Sequence, residues 1–233
     1  MFLAEPAATE FDLRFVAFRI PVRVHPFFWL LTAMFGFQGG GNPQSVILWV
    51  GCVFVSILVH EMGHALTAQA FGGWPHVVLY GMGGLAINTG ERTHPQRLLV
   101  LLMGPGAGFL LYGLIRLAAP AVLFRFPQYQ LLLISSHLMY INLWWGILNL
   151  MPVWPLDGGQ ICGTLMEMAR VRQAARTTQA VSMVTGFLLA GYFLTQRSYF
   201  PTFLFGYLAV ASLQYLMNHR SGYSDGDYGD RRR

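Results

Sequence analysis

Residues 45–71 read SVILWVGCVFVSILVHEMGHALTAQAF, and this stretch bears on both the fold and the chemistry. It is an apolar run longer than the roughly 20 residues that a helix needs to cross a hydrocarbon core. Set inside it are His60, Glu61 and His64, in the order HEMGH. On a helix, side chains four residues apart stand one turn apart on the same face, so two imidazoles at this spacing can bind one Zn²⁺. Glu61, next to the first of them, is placed to take a proton from a water at the metal. The pattern implies metal-assisted hydrolysis of peptides, carried out within a membrane.

Composition supports the membrane setting. Apolar residues make up 55% of the chain and charged residues 11%, against about 25% charged in a soluble domain. The expected fold is an all-α polytopic membrane protein with about six transmembrane helices, at about 26–38, 45–71, 97–123, 130–151, 179–196 and 200–217. A small β-hairpin or sheet element follows the second helix. Residues 74–90 carry its strand-like runs, Val77 to Tyr80 and Leu85 to Ile87, around Gly81, Gly83 and Gly84. Residues 13–24 alternate apolar with Arg and read as a short strand or interfacial segment. The expected domain plan is an N-terminal cytoplasmic segment at 1–25, a membrane-embedded domain at 26–218 and a disordered cytoplasmic tail at 219–233. The acidic start lacks the basic and apolar regions of a leader peptide. Cys52 and Cys162 have no metal-like spacing and read as small apolar residues.

All fifteen basic residues are Arg. They are scattered between apolar runs without a stripe or aromatic interleaving, so nucleic acid is not an expected partner. With a cytoplasmic N-terminus, twelve Arg fall on the inside and three (Arg116, Arg125 and Arg197) on the outside. That bias predicts a multi-pass protein of a cell inner membrane with both termini cytoplasmic. The second and fourth helices then both run inward, bringing the HEMGH segment and residues 149–157 to one depth.

Glu61 lies in a spanning segment and Asp157 at the inner end of another, while the other acidic residues lie in loops or tails. An ionisable group in the membrane costs about 3 kcal/mol or more, so such residues are rarely incidental. A catalytic zinc takes three protein ligands and keeps one open position. His60 and His64 supply two; Asp157, His137, His76 and His94 are the candidates for the third. Asp157 sits in NLMPVWPLDGGQI, where Pro152 and Pro155 stop the helix and Gly158 and Gly159 let the chain fold back. Its alternative role is to cap the helix beginning near Gly158.

HEMGH together with Asn149-x-x-Pro152-x-x-Pro155-Leu156-Asp157-Gly158-Gly159 closely resembles the site-2 protease family of intramembrane zinc metalloproteases, over about residues 20–165. The resemblance implies one Zn²⁺ per chain, held by His60, His64 and Asp157, with Glu61 as catalytic base. It also implies a substrate contact at Asn149 and a Gly-rich strand, Gly81, Gly83 and Gly84, that pairs with unwound substrate. The implied activity is zinc metalloendopeptidase cleavage in or near transmembrane segments of membrane proteins, with those proteins and the lipid bilayer as partners. The chain is similar to the compact branch without PDZ or nucleotide-sensing (CBS) domains. It departs from many members in the third helix, where Gly104-Pro105-Gly106-Ala107-Gly108 has Gly108 in place of an Asn; these glycines, with Gly113, are expected to allow close helix packing. Two other readings are a catalytically inactive scaffold of the same fold and an ion-coupled transporter. The intact ligand set and Glu61 argue against the first, and the lack of internal repeats against the second.

Overall fold

The computed structural model describes residues 5–38, 42–81, 83–89 and 93–218. The expected disordered tail, 219–233, lies outside the described residues. The chain forms two compact units divided after Leu150.

The first unit holds β1 (Leu13–Ala17), β2 (Ile20–Val24), α1 (Pro26–Gln38), α2 (Pro43–Ala70), β3 (Trp74–Tyr80), β4 (Gly83–Thr89), α3 (His94–Arg125) and α4 (Tyr129–Asn149). Helix α2 starts where Asn42 accepts the Ser45 N–H at 2.9 Å and Pro43 supplies a preset φ. Helix α3 starts where the Gln96 side chain accepts the Thr93 N–H at 3.1 Å. Half of the apolar span of α2 is buried, against 28% for α3 and 17% for α4, so α2 is the central helix of this unit. The outer helices turn apolar side chains outward instead. Leu110, Leu114 and Leu117 of α3 are 65%, 56% and 81% exposed, a stripe that suits lipid and not water.

The strands form one sheet in the order β1-β2-β3-β4. β1 and β2 make a hairpin whose two turn residues, Phe18 and Arg19, have φ of 51° and 65°, as a two-residue turn with the matching twist requires. β2 and β3 pair in parallel, Val22 opposite Val77, with α1 and α2 as the crossover between them. β3 and β4 pair antiparallel, with Leu79 opposite Gly84. Ile20, Val22 and Val24 of β2 pack with Val77 and Leu79 of β3 onto Phe28 of α1 and Cys52, Val53 and Ile57 of α2. The sheet therefore shares one core with α2. The strand-like runs expected after the second helix are β3 and β4, and the segment at 13–24 extends them to four strands.

Residues ahead of β1 are tied to the sheet by charge. Arg23 donates to Asp12 at 3.0 Å, to Glu5 at 2.7 Å and to the Pro6 carbonyl at 2.9 Å, and Thr9 hydrogen-bonds Asp12 through its hydroxyl and its amide. Burial favours the neutral acid at Asp12, but the bonds from Thr9 and Arg23 outweigh it and hold the carboxyl far below the usual range. A depressed folded-state pKa gives stability that is complete above the unfolded value, about 4, and that fades as pH falls below it. The protection of the amides over residues 5–12 against hydrogen exchange, each rate corrected for its intrinsic value at that pH, is therefore expected to be full at pH 7 and to fall progressively below about pH 4. Unchanged protection at pH 3 would contradict this.

The second unit holds α5 (Asp157–Met168), α6 (Ala174–Thr195) and α7 (Tyr199–Asn218). Gly186 of α6 lets that helix approach α7 closely, since a Cβ there would stand 2.9 Å from that of Ala209. Every expected apolar segment is helical. Among the described residues α2, α3, α4, α6 and α7 are long and apolar enough to cross a membrane, and α1 is a shorter apolar helix. The protein is a multi-pass membrane protein by these spans. Helix α5 is the helix expected to begin near Gly158; it was not among the apolar segments, because its sequence DGGQICGTLMEM has no unbroken apolar run.

Candidate metal centre

His60 and His64 lie one turn apart on α2 and are 3% and 7% exposed. Their rings meet edge to face, and the two Nε2 atoms stand 3.3 Å apart. His64 Nδ1 is 2.7 Å from the Val100 carbonyl of α3, which can only accept, so Nδ1 carries the proton. That bond fixes the tautomer and presents Nε2 as a lone pair, the arrangement usual for a metal-binding histidine.

Two glycines make room for this. A Cβ at Gly104 of α3 would run into the His64 ring at Nε2, and one at Gly63 of α2 would run into the Met103 carbonyl. Helices α2 and α3 thus approach to backbone contact where His64 sits. Glu61, buried like the histidines, lies against β4, and a Cβ at Gly84 would run into its carboxylate.

Asp157 is the first residue of α5 and is 8% exposed. Leu156, not Asp157, occupies the capping position, so the carboxylate stands in the first turn, where the helix favours negative charge. His60 and His64 belong to the first unit and Asp157 to the second, and each is a side chain of a type that binds zinc.

The residues fit zinc. Two nitrogens bound to zinc at 2.0–2.1 Å with a tetrahedral angle are about 3.3–3.4 Å apart, the spacing of the two Nε2 atoms. Two imidazoles and a carboxylate are a catalytic donor set that keeps one position open.

The other candidates are placed elsewhere. His76 is on the sheet, 3.3 Å from Glu5, and His137 stacks edge-on to Trp49 with its Nδ1 buried and unpartnered. His94 begins α3. Asn149 ends α4 and donates to the Trp145 carbonyl of its own helix at 3.0 Å. Gly81 takes the positive φ of the β3–β4 turn, a Cβ at Gly83 would meet nothing within 4 Å, and Gly84 is the one of the three in contact with Glu61. Sequence reasoning missed the Val100 carbonyl and the fit of Gly104 to His64, which no local pattern reveals.

Residues 113–192 match the family model described as peptidase family M50, and that stretch contains Asn149 to Gly159. The curated relatives of the chain include stage IV sporulation protein FB of Bacillus subtilis, 27% identical over 82% of the chain and 65% of the relative. Another is a zinc metalloprotease of Methanocaldococcus jannaschii, 27% identical over 64% of the chain and 43% of the relative. The chain spans less than two thirds of the length of these curated relatives. Its fold is that of a site-2 protease structure from Methanocaldococcus jannaschii, with a TM-score of 0.61 and 19% identity over 88% of this chain and 95% of that one.

Proposed function

We propose that this chain is an intramembrane zinc endopeptidase of the M50 type that cuts other proteins in or near their transmembrane segments. One observation carries the reading: the buried pair His60 and His64 beside the buried Glu61, all on α2, a helix of membrane-spanning length. His60, His64 and Asp157 hold one zinc per chain. Bound zinc supplies Lewis acidity, which polarises the scissile carbonyl and brings the ionisation of water toward neutral pH.

Glu61 is the general base. It takes the proton of the attacking water and passes it to the leaving amine. Its contact with Gly84 holds the carboxylate in place while the proton moves. β4 stands at the end of the sheet order, a position from which a strand can pair with an unwound substrate segment. That pairing replaces the hydrogen bonds that a substrate helix loses on unwinding, with Gly81, Gly83 and Gly84 keeping the backbone accessible. Asn149 contacts substrate near the scissile bond. Residues 26–218 form the membrane-embedded domain, in a cell inner membrane with both termini cytoplasmic, as the Arg distribution supports.

The test is metal analysis of purified protein together with cleavage of a membrane substrate in proteoliposomes. One zinc per chain is expected, with activity lost on chelation and restored by zinc. His64→Ala and Asp157→Ala are each expected to weaken zinc binding by more than about tenfold and to stop cleavage. Cleavage by metal-free protein would sink the proposal.

A further inference from the structure

The segment that delivers Asp157 is held by two serines that no part of the proposed chemistry uses. Pro152 and Pro155 have no amide hydrogen to give, so the loop between α4 and α5 has few donors of its own. The Val153 amide closes a turn on the Met151 carbonyl at 2.7 Å, and the Leu156 amide closes one on the Val153 carbonyl at 2.9 Å. The Trp154 amide instead leaves the loop and donates to Ser182 Oγ of α6 at 2.5 Å. Ser182 is fully buried, and its hydroxyl shares a hydrogen bond of 3.1 Å with Ser212 of α7, which is 2% exposed.

The loop is clamped from its other side by α5. Gln160 donates to the Pro155 carbonyl at 3.1 Å, and a Cβ at Gly159 would stand 2.5 Å from the Trp154 nitrogen. Trp154 is thus pressed between the start of α5 and the α6 hydroxyl, three positions ahead of Asp157. A partly buried amide that loses its acceptor must move to find another or stay poorly satisfied, and either outcome disturbs the backbone leading to that carboxylate.

We infer that Ser182 and Ser212 are positioning residues for Asp157, through which α6 and α7 set the affinity of the metal centre. The inference rests on the proposed role of Asp157 as a zinc ligand. Ser182 fixes the Trp154 amide directly, and Ser212 fixes the orientation of the Ser182 hydroxyl. Helices α6 and α7 thereby act on the site without contributing a ligand.

The experiment measures zinc affinity by chelator competition on full-length protein in detergent, with the visible spectrum of the cobalt-substituted form as a second readout. Ser182→Ala is expected to weaken zinc about 10- to 100-fold and to shift the cobalt bands, while helix content and elution volume stay as in the parent. Ser212→Ala is expected to show a smaller loss in the same direction, and Ser182→Thr, which keeps the hydroxyl, to bind closer to the parent than Ser182→Ala. Parent-like affinity in folded Ser182→Ala overturns the inference. If that variant does not fold, parent-like affinity and an unchanged cobalt spectrum in Ser212→Ala overturn it. Asp157→Ala, run alongside, separates the two levels. Undiminished affinity there removes Asp157 as a ligand and the inference with it, whereas loss there with no loss at Ser182 removes the inference alone.

Discussion

Glu61→Gln is expected to leave zinc content at one per chain and to lower the cleavage rate by about a hundredfold to ten-thousandfold, the usual contribution of a positioned acid–base group. The substitution is nearly isosteric. Glu61 is 6% exposed and packs against Gly84, so the amide fills the same space and the fold is undisturbed. What is lost is a group able to take and return a proton. The measurement is single-turnover cleavage of a reconstituted membrane substrate, with zinc determined on the same sample. Undiminished turnover with zinc in place would remove Glu61 as the base and leave only the metal-binding part of the reading.

Gly104→Ala is expected to have the second large effect, at a residue with no reactive group. The added methyl enters the space occupied by the His64 ring. Either α3 backs away from α2 or the ring turns, and turning breaks the 2.7 Å bond between Nδ1 and the Val100 carbonyl. Overpacking of this kind costs about 1–3 kcal/mol, and loss of the orienting bond weakens metal binding by about 10- to 100-fold. Gly106→Ala is the matched control, since a Cβ there meets nothing within 4 Å. Thermal unfolding and zinc competition on the two variants should differ clearly. Equal behaviour of the pair would show that helix content, and not the fit to His64, governs residue 104.

Contiguous patterns were the legible part of this sequence. HEMGH states its own geometry, because residues four apart on a helix share a face. The unbroken apolar runs likewise marked every long helix, and the glycines around residues 81–84 marked the hairpin. Relations between segments were less visible. Nothing local to Leu13–Val24 says that β2 lies parallel to β3, since the pairing follows from the α1–α2 crossover. Val100 contributes a carbonyl, which every residue possesses, and its role comes from the approach of α3 to His64. The glycines of α3 were expected to share one packing role, but a Cβ at Gly104 would clash, one at Gly108 would make ordinary contact with Asn142, and Gly106 and Gly113 meet nothing within reach. Four identical residues are separated by what stands opposite them.

The parallel pairing of β2 with β3 also imposes an order on biogenesis. Val22 leaves the ribosome before α1 and α2 exist, and its partner Val77 emerges only after both have been made. The nascent hairpin must therefore wait, its apolar face uncovered, until the helix pair has entered the bilayer and the chain has returned. β4 follows later still, and with it the glycine that abuts Glu61. A nascent chain halted before that point holds its two imidazoles on α2 with no strand beside the carboxylate, so competence is withheld from unfinished protein by the order of synthesis alone.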